Sequence, residues 1–256
     1  MFKHDLIVIG GGILGLSHAY HALKKGLKVL MIEKNYQAMG ASILNFGQVV
    51  PSGFGVEWQK YGIASTKHYL DIAANTDIFV RKEGSIYIAS DEDEMTLIEE
   101  LHHINTANAY PSQLITAQQC KEKYPMLKDS YVKGALFFPD EINADSRKTI
   151  PAITNYLVQG LGLKLIFGKR IVDIYETENE AIVFDTAGDK WVGGGQLFHT
   201  SFYGHHMIIG SLLFGFFGFG NVFFGLFFWF GGLFSFGYPF VHPFCYPRWF
   251  GASCYC

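Results

Sequence analysis

Three glycines and one acid carry the strongest chemical signal in the chain. The run Gly10-Gly11-Gly12-Ile13-Leu14-Gly15 satisfies G-x-G-x-x-G, and Glu33 follows Gly12 at a distance of about 20 residues. Glycine at the first position allows a tight turn. At the second it lets a backbone approach a pyrophosphate, and at the third it lets a helix pack against a strand. A helix starting at such a turn aims N–H groups and a positive dipole end at the anion. A carboxylate at this spacing can accept hydrogen bonds from ribose hydroxyls. The chemistry implied is the grip on an adenine dinucleotide. A glycine-rich turn in an unrelated α/β domain is the alternative.

The elements needed to position these groups are present in order. Residues 6–9 are apolar and β-branched and read as a buried strand. Ile13, Leu16, Tyr20 and Leu23 then recur on one helical face, which Lys24-Lys25-Gly26 closes. Residues 27–32 read as a second strand with Glu33 at its tip. A second motif follows at Gly40-Ala41-Ser42-Ile43-Leu44-Asn45-Phe46-Gly47-Gln48. It reads as a loop returning toward the glycine turn. Its small residues permit close approach to a bulky cofactor, Ser42 and Asn45 supply hydrogen bonds, and Gly47 supplies backbone freedom.

Together these two motifs resemble the FAD-dependent amine and amino-acid oxidoreductases, the family of D-amino-acid oxidase, glycine oxidase and sarcosine oxidase. The resemblance covers roughly residues 4–192 and is strongest over 5–50. It implies FAD, and a Rossmann-like α/β domain of the GR2 type with an inserted α+β substrate domain. By this likeness Gly10, Gly12 and Gly15, with Ile13 and Leu14, hold the FAD pyrophosphate. Glu33 holds the adenosine ribose, and Lys34 beside it is a further cofactor-binding position. Ala41, Ser42, Asn45, Phe46 and Gly47 wrap the ribityl and flavin part, and the backbone at Ile171 lies near the adenine. The implied domain layout is 1–78 with 140–192 for FAD and 79–139 for the first half of the substrate domain.

The implied reaction is oxidation of a C–H beside the nitrogen of a small amine or amino acid, with hydride passing to the flavin. The family's substrate clamp lies mostly in a second half that does not follow here, so no catalytic residue is assigned. Gln48 is the nearest candidate for the flavin face, although a solvent- or backbone-bonded loop residue is the plainer reading. Arg81 and Lys82 read as surface charges. A catalytically inactive nucleotide-binding fragment and a pyridine-nucleotide dehydrogenase are the competing readings; the Gly40–Gly47 loop argues against the latter.

Patterning fills in the rest. Residues 57–75 read as a helix burying Trp58, Tyr61 and Ile72. Residues 80–89 read as a turn and strand. Asp91 with Glu94 starts a helix that buries Leu97, Ile98, Leu101 and Ile104. Thr116 with Gln119 forms a capping box. A strand at 134–138, a helix at 146–160 containing Pro151, and a strand at 164–166 follow. Residues 171–192 read as an antiparallel meander with turns at Glu178-Asn179 and Ala187-Gly188-Asp189.

Composition changes abruptly at 193. Of 24 Phe, 16 lie beyond Val192, where Arg248 is the one charged residue. A Thr-Gly-Ala-like turn implied by the resemblance is absent. A shifted reading frame, a membrane segment over 207–236, and a Phe/Gly tract that condenses are the three readings of this tail, which is expected to be irregular or apolar-helical. The truncated chain is expected to hold FAD poorly. No spacing among His199, His205, His206, His242 and the late cysteines suits a metal. Net charge of −3 without a basic run argues against nucleic acid. Cys120 as the one cysteine of the charged part, and no signal peptide, point to the cytoplasm, with membrane attachment by the tail as the alternative.

Overall fold

The computed structural model describes residues 4–177 and 180–199. In chain order the elements are β1 (His4–Ile9), α1 (Ile13–Lys24), β2 (Val29–Glu33), α2 (Ala41–Leu44), β3 (Gln48–Val49), α3 (Val56–Ala73), β4 (Val80–Arg81), β5 (Ser85–Ala89) and α4 (Glu92–Ala107). They continue with β6 (Gln113–Thr116), α5 (Ala117–Lys123), β7 (Gly134–Phe138), β8 (Ile142–Ala144), α6 (Ser146–Leu161), β9 (Lys164–Phe167), β10 (Ile171–Glu176), β11 (Ala181–Asp185) and β12 (Lys190–His199). The described residues form two compact units, one of 4–48, 67–80 and 144–199, the other of 49–66 and 81–143. The segment 49–66 therefore groups with the second unit, and α3 begins in one unit and ends in the other.

The first unit is built on a six-stranded sheet in the order β10-β11-β12-β1-β2-β9. β1 is flanked by parallel β12 and β2, and β9 runs parallel to β2. Such strands are covered on both faces, which is why β1 and β2 read as continuous apolar runs. Ile7, Ile9, Leu30 and Ile32 face Ile171 and Val183 of the antiparallel meander. On α1 the buried residues are Ile13, Gly15, Leu16, Ala19, Tyr20 and Ala22, so small side chains, with Leu23 only half-buried, let the helix approach the sheet. α6 packs beside α1 and α2. It carries Pro151 within the helix and ends at Gly162, whose φ of 78° is a left-handed C-cap.

One boundary differs from expectation. β12 does not end at Val192. It runs to His199, and its second half pairs with β1 from His4↔Gly193 to Ile9↔His199. Packing accounts for a glycine at 193: a Cβ there would come within 2.9 Å of Ile7 Cγ1. The sheet thus continues through the change in composition. The expectations for 200–256, and for the turn at 178–179, concern positions outside the described residues.

The second unit centres on the antiparallel sheet β5-β7-β6. Side chains alternate across β7. Leu136 and Phe138 pack with Ala89, Ile98 and Tyr110, while Ala135 packs with Cys120 and Val132. Both expected caps are present: Asp91 accepts from Glu94 N at 2.8 Å, and Thr116 with Gln119 forms a full capping box.

Three expected core positions are corrected. Ile104 is 47% exposed and its neighbour Asn105 is 1% exposed. The Asn105 amide is satisfied by Gln59 Nε2 at 2.6 Å and Leu101 O at 2.9 Å. Gln59 likewise takes the buried place on α3, leaving Trp58 and Tyr61 half-buried. A paired amide can occupy a buried site at no desolvation penalty beyond the one its partner offsets.

Candidate functional site

The site begins where β1 meets α1. Gly10 has a φ of 107°, a conformation that side-chain-bearing residues avoid. A Cβ on Gly15 would lie 2.0 Å from Gly10 O, so the first helical turn rests directly on the turn's backbone. Gly12 is the N-cap of α1 in ordinary extended conformation, and it offers no side-chain cap. The first turn holds no acid. The helix therefore carries no acid of its own against the positive end of its dipole.

Glu33, at the tip of β2, is only 6% exposed and turns toward this bend. Its Oε2 accepts from Gly11 N at 2.7 Å and its Oε1 from Asn35 N at 2.9 Å. Each carboxylate oxygen has a further lone pair, so both hydroxyls of a ribose could be accepted without breaking these bonds. The middle glycine, Gly11, received no role from the motif, yet its N–H is what ties turn to acid. The signal available was the unbroken run of three glycines, Gly10-Gly11-Gly12.

The second motif returns to the turn. Ser42 Oγ accepts from Ile13 N at 3.0 Å, and a Cβ on Gly12 would meet the same oxygen at 2.9 Å. A hydroxyl that accepts still has a hydrogen to give. Part of the segment is the short helix α2 rather than loop. The Asn45 Nδ2 donates to Ser42 O at 2.6 Å and Ala41 O at 3.2 Å, and its Oδ1 accepts from Gly47 N at 2.7 Å. Its amide shapes its own loop. Gly47 has φ 73°, and a Cβ there would lie 1.8 Å from Ala144 O. Ser146 Oγ donates to Ile43 O at 3.0 Å and Asn45 O at 3.2 Å, fastening this loop to the start of α6.

The remaining predicted residues are less tightly gathered. Lys34, Ala41, Gln48 and Phe46 are exposed, Phe46 by 82%. Ile13 faces the core, and Leu14 O meets His18 Nδ1 at 3.0 Å. Ile171 starts β10 with its side chain buried among Ile7 and Ile32, so only its backbone can face a ligand. A cavity of about 410 Å³ abuts Gly11 and lies between Tyr36–Ala38 and the α6 residues Thr154 and Asn155. Lys82 pairs with Asp140 at 2.6 Å on the surface.

Electrostatics is unusual at two other places. Burial brings the His18 and His21 imidazoles down to about 4, with the neighbouring His68 and His18 adding to the effect at His21. In the second unit Glu141 is fully buried. Its carboxyl accepts from Ser52 N at 2.8 Å, from Ser85 Oγ and from Tyr110 at 3.4 Å. Burial holds its pKa above the usual carboxylate range and raises the nearby Tyr87 to about 12.

Against this geometry the comparisons with known proteins are specific. Residues 5–193 match the family model described as FAD dependent oxidoreductase. The D-amino acid dehydrogenase of Helicobacter pylori is 23% identical over 233 residues, covering 70% of this chain and 55% of that protein. Glycine oxidase from Geobacillus kaustophilus shares the fold with a TM-score of 0.69 and 20% identity, covering 78% of this chain and 56% of that one. So does an FAD-bound L-alpha-glycerophosphate oxidase from Mycoplasma pneumoniae, at 0.63 and 19%, covering 77% and 53%. The chain spans about half the length of these three proteins. None of the described helices is long and apolar enough to cross a membrane.

Proposed function

The chain belongs to the FAD-dependent oxidoreductase family, and from that premise we propose that it serves oxidation of the C–N bond of a small amine or amino acid. The observation that carries the cofactor half of this reading is the Glu33 carboxylate bonded to Gly11 N at 2.7 Å, in the glycine turn from which α1 starts. When bound, FAD supplies the hydride acceptor; the protein contributes binding, orientation and electrostatics.

The residues fit an ADP moiety on three counts. The start of α1, uncapped by any acid, would face the diphosphate. Ser42 would donate its remaining hydrogen beside Ile13 N. Glu33 would accept from the ribose. The inward-facing Ile171 side chain leaves its backbone to line the adenine end.

The amine class is favoured by the likeness to D-amino acid dehydrogenase and glycine oxidase. A second reading, oxidation beside oxygen in a glycerol phosphate, is favoured by the likeness to the glycerophosphate oxidase. The test is an absorbance spectrum of purified, FAD-reconstituted protein mixed anaerobically with glycine, sarcosine, D-alanine, L-proline or glycerol 3-phosphate. Bleaching by an amine supports the first reading, and bleaching by glycerol 3-phosphate the second. Protein that binds ADP but takes up no flavin would leave only a nucleotide-binding fragment.

A further inference from the structure

Lys169 stands directly behind Glu33, bonded to its backbone. Residues 168–170 carry the chain from β9 to β10, so that Ile171 packs on the sheet face formed by Ile7 and Ile32. Gly168 makes this reversal with a φ of 73°. The segment is stitched to the tip of β2: Lys169 N donates to Glu33 O at 3.2 Å, and Gly168 N donates to Asn35 O at 3.3 Å.

The Lys169 side chain runs to the hairpin between β11 and β12. Its ammonium pairs with Asp185 Oδ2 at 2.9 Å and also with Asp189. Asp185 is a rigid anchor. Its side chain is 1% exposed, and its Oδ1 accepts from Asp189 N at 2.8 Å and Ala187 N at 2.9 Å. Thr186 N adds a bond to Arg170 O at 3.1 Å. A continuous chain of bonds therefore runs from the hairpin through Lys169 to the Glu33 backbone. The Glu33 carboxylate carries it on to Gly11 and Asn35.

We infer that Lys169 is a positioning residue for the dinucleotide site: its paired ammonium locks the backbone behind Glu33 and so fixes the direction in which that carboxylate meets a ribose. The inference rests on the FAD reading above. A freely solvated lysine pair would contribute little. This one matters because one partner is buried and the lysine's own N–H is part of the stitch. A carboxylate that must hold two backbone donors and two ribose hydroxyls tolerates little rotation.

The test uses the full chain, with ADP as the probe in calorimetry and amide hydrogen exchange over residues 10–14 and 33–35. In K169M, ADP should bind about three- to tenfold more weakly, and exchange at Gly11 and Asn35 should quicken. K169R should restore both, since a guanidinium can bridge two carboxylates. If K169M does not fold, D189N removes only the more exposed partner and should shift both readouts in the same direction. A lowered melting temperature with unchanged exchange and unchanged ADP affinity would overturn the inference. Should the unaltered chain bind no ADP, the FAD reading falls, while the exchange data still decide whether Lys169 holds Glu33.

Discussion

Gly12 and Gly15 would receive the same added methyl group in Gly12→Ala and Gly15→Ala, yet the structure demands opposite consequences. At Gly15 the new Cβ would lie 2.0 Å from Gly10 O and 3.1 Å from Gly10 C, and both are backbone atoms of the bend itself. Neither can yield without moving β1 or α1, so overpacking should cost about 3 kcal/mol or more. At Gly12 the backbone is already in a conformation alanine adopts, with φ −75° and ψ 177°. The obstacle is Ser42 Oγ at 2.9 Å, the end of a side chain that can rotate away. Rotation gives up the bond to Ile13 N, worth about 1 kcal/mol. The gain of roughly 0.4–1 kcal/mol from a less flexible unfolded chain offsets most of it. G12A should therefore fold almost as stably as the parent but lose ADP binding, because its methyl fills the approach to the helix start. Urea unfolding and ADP calorimetry read the two effects separately. If G15A were no less stable than G12A, the close packing of turn on helix would be refuted. If G12A bound ADP undiminished, the diphosphate would not lie there.

Replacing Glu33 by Gln turns one acceptor into a donor facing a backbone N–H, and should cost about 1.5–3 kcal/mol in urea unfolding. An unchanged midpoint would mean that the bonds to Gly11 and Asn35 do not hold in solution. In acid, the unfolded chain protonates its histidines near 6.5, whereas His18 in the folded chain resists until about 4. The unfolded state then binds more protons, so stability falls as pH drops through that window, by at most about 3 kcal/mol for His18. H18Q should flatten this slope in urea titrations repeated from pH 7 to 4. At Glu141, E141Q can keep an oxygen on Ser52 N and set its amide against Ser85 Oγ, a hydroxyl that can accept, so it should lose less stability than E141A, which strands the Ser52 N–H and two hydroxyls and should cost about 3 kcal/mol. Equal melting temperatures for the two variants would contradict that assignment.

How much of this was legible in the amino-acid order depended on whether the cause was local. The β1–α1–β2 unit announces itself because its strands are uniformly apolar, its bend is glycine and its helix has one apolar face. The caps at Asp91 and Thr116 are equally local, since side chain and recipient N–H lie three residues apart. Gly47 was read as supplying backbone freedom. Its φ of 73° agrees, but the tighter demand comes from Ala144 O, far along the chain. The same holds for Asn105, which displaces Ile104 from the core only because Gln59 waits on another helix. Asn45 was read as supplying hydrogen bonds because its type allows it; that its amide bonds to the carbonyls of the short helix α2 could not be foreseen from hydrophobic spacing. The continuation of β12 to His199 was hidden by a change in composition that has no bearing on backbone pairing with β1.

The central claim is that the bend at Gly10–Gly15 and the Glu33 carboxylate together receive an adenosine diphosphate group. Backbone amide NMR of the isotope-labelled chain during titration with ADP addresses it most directly. Saturable shifts at Gly11, Gly12, Ile13, Leu14 and Asn35, with α4 and α5 silent, are the result this account predicts. Shifts confined to other parts of the chain, or none at millimolar ADP, would contradict it.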